Sequence, residues 1–154
     1  MSELIVRDSV VVDAPVETVW DVLTKSEFSR QYMFGCSMET DWKPGSRLLW
    51  KGEPNETVYV EGDIVAIEKP YRLEYTVFSQ SLGIADVPEN YLTVTYSLRK
   101  GENGGTVLEI SQGDYSKVGL GQKRYEDTVS GGGWAVILEK VKGIAEKQGI
   151  GISH

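Results

Sequence analysis

The chain has very few of the residues on which disulfide, thiol or histidine chemistry depends. Its 154 residues include one cysteine, Cys36, and one histidine, His154. A single cysteine cannot form an internal disulfide, which agrees with a reducing compartment, and we expect Cys36 to be a small buried or half-buried residue. One terminal histidine excludes the usual Ser-His-Asp and Cys-His arrangements and argues against a histidine metal site. We therefore assign no catalytic residue, no metal ligand and no cofactor.

Long apolar runs and basic clusters are also missing. The N-terminal residues lack the pattern of a signal peptide, and no segment approaches the roughly 18 consecutive apolar residues of a membrane helix. The 23 acidic and 16 basic residues give a net charge of -7, which repels phosphate backbones and anionic membranes. We expect a cytoplasmic protein without nucleic acid partners or membrane insertion, and a single domain over residues 1–154.

Two glycine-rich segments, at 119–121 and 131–133, do not have the spacing of phosphate-binding loops. No aspartate-rich loop has the calcium-binding spacing either. We interpret both glycine segments as turns, and the role of Gly131, Gly132 and Gly133 stays open.

The first third of the chain predicts one strand and two short helices. Residues 4–12 are rich in β-branched side chains, and Pro15 suits the opening turn of a helix that ends near Thr24. In that segment the apolar residues recur at helical spacing, at Val16, Val19, Trp20 and Leu23. Ser26 is suited to cap a second short helix that carries Phe28 and Tyr32.

From residue 37 onwards the apolar pattern changes to a period of two, which is typical of strands. The predicted strands are 37–42, 47–52, 58–67, 72–78, 91–99 and 106–112. Short turns separate most of them, which favours an antiparallel meander. The segments 79–90 and 114–124 are longer, and we predict that these two loops are gates of a binding site.

The C-terminal segment predicts a long amphipathic helix. It begins between Tyr125 and Trp134 and runs to about Gln148, where Gly149 is suited to end it. One face carries the apolar residues Trp134, Ile137, Leu138, Val141, Ile144 and Ala145.

Four segments of the chain together resemble a known family. They are DAPVETVWDVLT at 13–24, GDI at 62–64 with PYRLEYT at 70–76, TVLEI at 106–110, and Gly133-Trp134 followed by Leu138 and Val141. They resemble the START-related superfamily, also called SRPBCC or Bet v 1-like, and within it most closely the family named for the activator of heat-shock-protein-90 ATPase. The resemblance implies an α+β helix-grip fold, in which a curved antiparallel sheet of about seven strands surrounds a long C-terminal helix.

In that superfamily the space between sheet and helix commonly holds a hydrophobic ligand. We therefore predict non-catalytic binding of a small hydrophobic molecule there. Trp134, Ile137, Leu138 and Val141 would form the helix wall of the cavity. The candidate facing residues are Tyr32, Trp50, Tyr75, Tyr96 and Ile110.

Two other function classes stay open. A cyclase- or dehydrase-type enzyme would use a pocket tyrosine or carboxylate, such as Asp8 on an otherwise apolar strand face. The alternative for Asp8 is an edge position, or a partner such as an arginine or a backbone N–H. A co-chaperone-like module would instead present an apolar surface patch. A chaperone partner and a homodimer both stay open at this point.

Overall fold

A seven-stranded antiparallel sheet forms most of the molecule, with the strand order β1-β7-β6-β5-β4-β3-β2. The structure is a computed structural model and describes residues 3–53 and 55–152. The strands are β1 Val6–Val12, β2 Ser37–Glu39, β3 Arg47–Gly52, β4 Thr57–Glu68, β5 Arg72–Val77, β6 Leu92–Lys100 and β7 Thr106–Gly113. This sheet and its helices confirm the predicted α+β helix-grip fold.

Four helices accompany the sheet in the described part of the chain. They are α1 Val16–Thr24, α2 Ser26–Tyr32, α3 Gly121–Ser130 and α4 Ala135–Ile152. Helix α1 follows Pro15 and buries Val16, Val19, Trp20 and Leu23 as predicted. Helix α2 begins at Ser26 itself, whose side chain does not cap it, so the predicted capping role of Ser26 is wrong.

The sheet directs alternate side chains towards the helices, and this alternation forms the core. Along β6 the buried residues are Leu92, Val94, Tyr96 and Leu98. Tyr96 pairs with Leu73 of β5 on one side and with Ile110 of β7 on the other. Strand β2 ends at Glu39, three residues before the predicted end, because the chain turns at Trp42, where φ is +58°.

The C-terminal region differs from the prediction in its helix boundaries. Helix α3 occupies part of the segment predicted as a loop, and the long helix α4 begins only at Ala135. Between them Gly132 and Gly133 have φ values of +96° and +64°, which glycine adopts readily and other residues rarely do. The glycines therefore make the turn between two helices. Helix α4 also continues past Gly149 to Ile152, so the predicted end at Gly149 is wrong.

Asp8 fixes the start of α4 from the opposite end of the chain. Its Oδ2 accepts a hydrogen bond of 2.9 Å from the backbone N–H of Trp134. The first N–H groups of a helix have no partner within the helix, and a carboxylate near them is stabilising. Asp8 therefore has a backbone N–H as its partner, which agrees with the non-catalytic alternative given for this residue in the sequence analysis.

Replacing Asp8 tests this cap. We expect Asp8→Ala to lower the free energy of unfolding by about 1–2 kcal/mol, because it removes the acceptor for the Trp134 N–H. Asp8→Asn keeps an acceptor oxygen and should cost less. Urea denaturation followed by circular dichroism measures both variants, and equal stability of Asp8→Ala and the unchanged protein would contradict the role of this cap.

Gly62 is required for close contact between β4 and β5. A Cβ atom at this position would lie 1.7 Å from the backbone oxygen of Thr76. The Thr76 hydroxyl oxygen in turn accepts a hydrogen bond of 2.9 Å from the N–H of Asp63. Any side chain at position 62 would therefore push the backbone of Thr76 away, and this would disturb the hydrogen bonds between β4 and β5.

We expect Gly62→Ala to lower the free energy of unfolding by about 3 kcal/mol or more, since the added methyl group overlaps backbone. Gly143→Ala is the matched control because a Cβ at Gly143, in α4, meets nothing within 4 Å. That control should raise stability by about 1 kcal/mol, the usual difference between glycine and alanine inside a helix. Thermal and urea unfolding of both variants compare the two sites.

Candidate ligand-binding cavity

A row of five aromatic rings crosses the interior from α2 to the start of α4. Adjacent ring centres lie 6.5 Å apart for Tyr32 and Trp50, 6.4 Å for Trp50 and Tyr75, 6.4 Å for Tyr75 and Tyr96, and 6.1 Å for Tyr96 and Trp134. These spacings are those of favourable aromatic pairs. The row therefore forms one continuous wall of large rings over β3, β5 and β6.

A cavity of about 410 Å³ lies beside this row, between the sheet and the first turn of α4. Its walls are mostly apolar. The lining residues are Met33, Phe34, Cys36, Trp50, Tyr59, Val60, Tyr75, Val77, Gln112, Thr128, Gly133, Trp134 and Ile137. Phe34 and Tyr59 are 69% and 43% exposed, so these two side chains mark the mouth.

Four of the nine sequence-predicted site residues line this cavity: Trp50, Tyr75, Trp134 and Ile137. The other five lie in the packed core outside its walls, and they are Tyr32, Tyr96, Ile110, Leu138 and Val141. Tyr32 is fixed there by its hydroxyl, which donates to the Leu23 carbonyl at 2.7 Å. That any of the nine contacts a ligand stays a prediction.

Sequence reasoning missed several wall residues. Val60 and Val77 have a detectable signal, because each lies on the inward face of a strand, two residues from Gly62 and Tyr75. Met33, Phe34 and Cys36 lie between α2 and β2, where no periodic pattern exists. Gln112 and Thr128 are polar, and polar side chains do not mark a core position in a sequence.

The polar groups that line the cavity are few. The Oε1 of Gln112 accepts a hydrogen bond of 2.9 Å from the Trp134 indole N–H. Burial raises the pKa of Tyr75 well above its ordinary value, so this phenol keeps its proton at neutral pH. Tyr96 lies in the packed core outside the cavity walls, and burial raises the pKa of its hydroxyl as well.

Asp8, the acidic residue named above for an enzyme, does not line the main cavity, and neither do Glu61 and Asp63. Asp8 is bound to the Trp134 N–H. Glu61 and Asp63 pair with Arg47 at 3.2 Å and 3.4 Å. Among the described residues that line the main cavity, none is a carboxylate or a histidine.

A second cavity of about 270 Å³ adjoins the first. The two share the wall residues Val60, Val77, Gln112 and Thr128. The remaining lining residues of the smaller cavity are Phe78, Ser79, Leu82, Leu92, Tyr115, Arg124 and Asp127. Its side next to α3 is therefore polar, whereas the main cavity is almost entirely apolar.

Residues 13–146 match the family model described as activator of Hsp90 ATPase homolog 1-like protein. The chain belongs to this family. The match confirms the family that the sequence motifs indicated. Among curated proteins, none matches the chain significantly.

Solved structures of similar proteins have the same fold as this activator of Hsp90 ATPase homolog 1-like chain. The solution structure of ChR145 from Cytophaga hutchinsonii is 35% identical, with a TM-score of 0.72 and 100% of each chain covered. Protein MLL2253 from Mesorhizobium loti is 20% identical, with a TM-score of 0.71 over 93% of this chain and 97% of its own. PFC0360w, an HSP90 activator from Plasmodium falciparum, is 17% identical, with a TM-score of 0.56 over 80% and 86%.

The sequence predicted no metal site and no membrane-spanning helix, and the structure bears on both points only for the residues it describes. In residues 3–53 and 55–152 of this family member, no cluster of three or more His, Cys, Asp or Glu side chains is placed to hold a metal ion. His154 lies outside the described residues. No helix in the described part of the chain is long and apolar enough to cross a membrane.

The two predicted gate loops meet at the smaller cavity. Asn90, at the end of the first loop, accepts a hydrogen bond of 2.9 Å on its Oδ1 from the N–H of Gly119 in the second loop. Arg124 donates through its NH1 group to the carbonyls of Asn90 and Gly119, at 3.0 and 3.2 Å. The loops are therefore joined to each other, and their role as gates stays a prediction.

Cys36 reports on the main cavity because it is the only cysteine and lines the wall. Burial raises the pKa of its thiol, so less thiolate is present at pH 8 than in an unfolded chain. We expect iodoacetamide to modify the folded protein several times more slowly than the urea-unfolded protein, as measured by mass spectrometry. Equal rates at matched pH would contradict this environment.

Proposed function

We propose that this protein binds a small, mostly apolar molecule without chemically changing it, in the main cavity between the sheet and α4. The observation that carries the proposal is the cavity itself, with about 410 Å³ of space beside a row of aromatic rings. Pockets for small molecules usually have volumes of about 300–1,000 Å³, apolar walls and a few placed polar groups. Protein interiors are otherwise closely packed, with few voids larger than a water molecule.

The wall chemistry favours binding over catalysis. Tyr75 is the most buried ionisable residue of the cavity wall, and burial holds its pKa high, so its hydroxyl is available as a hydrogen bond donor but not as a base near neutral pH. The free amide group of Gln112 supplies a second donor, because its oxygen is already bound to Trp134. An apolar ligand with a hydrogen bond acceptor at one position suits these walls.

The other function classes remain predictions. A cyclase- or dehydrase-type enzyme would need a proton acceptor among the cavity residues, and the described walls of the main cavity contain no carboxylate. The co-chaperone function is supported by the family description and by the HSP90 activator from Plasmodium falciparum, which has the same fold. At 17% identity that likeness does not extend beyond the fold.

A neutral apolar fluorophore, N-phenyl-1-naphthylamine, tests the proposal. We expect its fluorescence to rise on binding to the protein, and Ile137→Trp to weaken binding by about tenfold or more, because the larger ring fills space beside Trp134. Val136→Trp is the matched control, since Val136 is 50% exposed on the neighbouring position of the same helix. The control should bind the fluorophore as tightly as the unchanged protein.

Native mass spectrometry of protein purified without detergent provides an independent measurement, since a retained molecule would appear as added mass. The proposal fails if the fluorophore does not bind, no retained mass is found and no apolar compound raises the melting temperature. It also fails if Ile137→Trp and Val136→Trp weaken binding equally, because the binding site would then lie elsewhere.

A further inference from the structure

The smaller cavity contains a buried cation without an acidic partner. Arg124 lines this cavity, and only 9% of its surface is exposed. No described carboxylate lies within ion-pair distance of its guanidinium. Asp127 lines the same cavity, but its Oδ2 accepts a hydrogen bond of 2.9 Å from Lys123. A buried charge is costly unless it is paired, so a buried arginine without a carboxylate partner favours binding of an anionic group from a ligand.

The hydrogen bonds of Arg124 leave one edge of the guanidinium free. Its NH1 group is used by the carbonyls of Asn90 and Gly119. Arginine has five N–H donors, and those on Nε and NH2 form no hydrogen bond to described residues. This edge has the two parallel donors that bind a carboxylate through both oxygens. The loop contacts also hold the side chain in place before a ligand arrives.

Among the neighbouring groups, Gln112 provides one further donor, and Asp127 is the one carboxylate in the described wall. The Tyr115 hydroxyl donates to Thr128 Oγ1 at 3.2 Å, because the Thr128 proton goes to the Arg124 carbonyl at 2.9 Å. Gln112 lines both cavities, and its amide N–H₂ group makes no bond to the described residues. The region where the two cavities meet therefore offers the Gln112 amide as one donor without a partner among the described residues.

Apart from Ser79 and the groups just described, the walls of the smaller cavity are apolar and consist of Val60, Val77, Phe78, Leu82 and Leu92. A ligand that uses Arg124 must therefore carry an anionic group on an apolar body. A single arginine balances one negative charge, and Asp127 nearby opposes a second. This favours a monoanion over a phosphate group, which carries close to two charges at neutral pH.

We propose that the smaller cavity is a carboxylate subsite and that the ligand is an apolar monocarboxylic acid. Its carboxylate accepts hydrogen bonds from the free edge of Arg124, and its apolar chain or ring lies between Val77 and Leu92 and extends past Gln112 into the main cavity. The inference rests on the proposed function and specifies the chemistry of its ligand.

The test compares decanoate with decanol, which has the same chain length and no charge. Both are measured by displacement of N-phenyl-1-naphthylamine. We expect Arg124→Gln to weaken decanoate binding by about tenfold or more, because it removes the charged hydrogen bonds to the carboxylate. Decanol has no carboxylate, so its binding should stay unchanged. Arg99→Gln removes the same charge from an exposed strand position, with 67% of that side chain exposed, and should affect neither compound.

A second measurement does not depend on any variant. The carboxyl pKa of decanoate labelled with carbon-13 can be followed by NMR in complex with the unchanged protein. Contact with Arg124 lowers this pKa relative to free decanoate, whereas a carboxyl group in an apolar cavity would have a raised pKa. A raised or unchanged value overturns the inference, even if Arg124→Gln does not fold.

The outcomes separate the two proposals. If decanol and decanoate both bind and Arg124→Gln weakens them equally or not at all, the carboxylate subsite is wrong and the apolar cavity stands. If neither compound displaces the fluorophore or binds at all, the proposed function itself fails. A loss confined to decanoate, together with a lowered carboxyl pKa, supports both.

Discussion

The hydrogen bond from the Trp134 N–H to Asp8 determines where the last helix begins, and the cavity depends on that position. It joins residues 126 positions apart, one on the first strand and one at the end of the glycine turn. Trp134 is held a second time through its indole N–H, which binds Gln112 on β7. With backbone and ring both fixed to the sheet, Trp134 and Ile137 face the cavity, and Leu138 and Val141 pack in the core.

The interior divides into a packed part and an open part according to side-chain size. The aromatic row of Tyr32, Trp50, Tyr75, Tyr96 and Trp134 fills the space over the central strands. Beyond it the inward side chains are smaller, such as Val60 and Val77, and they leave space unfilled. The walls near the mouth are apolar, whereas the walls next to α3 carry the polar and charged groups Arg124, Asp127 and Thr128.

Much of the fold is predictable from the sequence because simple periodicities dominate it. Strands β3 to β7 alternate inward and outward residues, and the apolar residues of α1 recur at helical spacing. The observed bounds of these strands and of α1 therefore lie close to the predicted bounds. Helix α3 was missed because Tyr125 and Val129 are its only large apolar residues, too few for a periodic stripe. Its neighbouring glycines also suggested a loop.

The site is less predictable than the fold. Alternation identifies which side chains point inward, but it does not distinguish a residue that fills the core from one that borders a void. Tyr96 and Trp134 have rings in contact, yet only Trp134 lines the cavity. Arg124 could not be recognised from sequence, because its burial depends on contacts with Asn90, 34 residues away, and with a loop carbonyl.

The sheet is open, and its two edges differ in strength. Strand β1 pairs with β7 through seven residue pairs, while β2 is joined to β3 through three: Ser37 with Lys51, Met38 with Trp50, and Glu39 with Leu49. Residues with few backbone hydrogen bonds open at the lowest free-energy cost. Met33, Phe34 and Cys36, which border the cavity, lead directly into this short strand. The entrance therefore adjoins the edge of the sheet that can separate most easily, without any change to the β5–β6–β7 core.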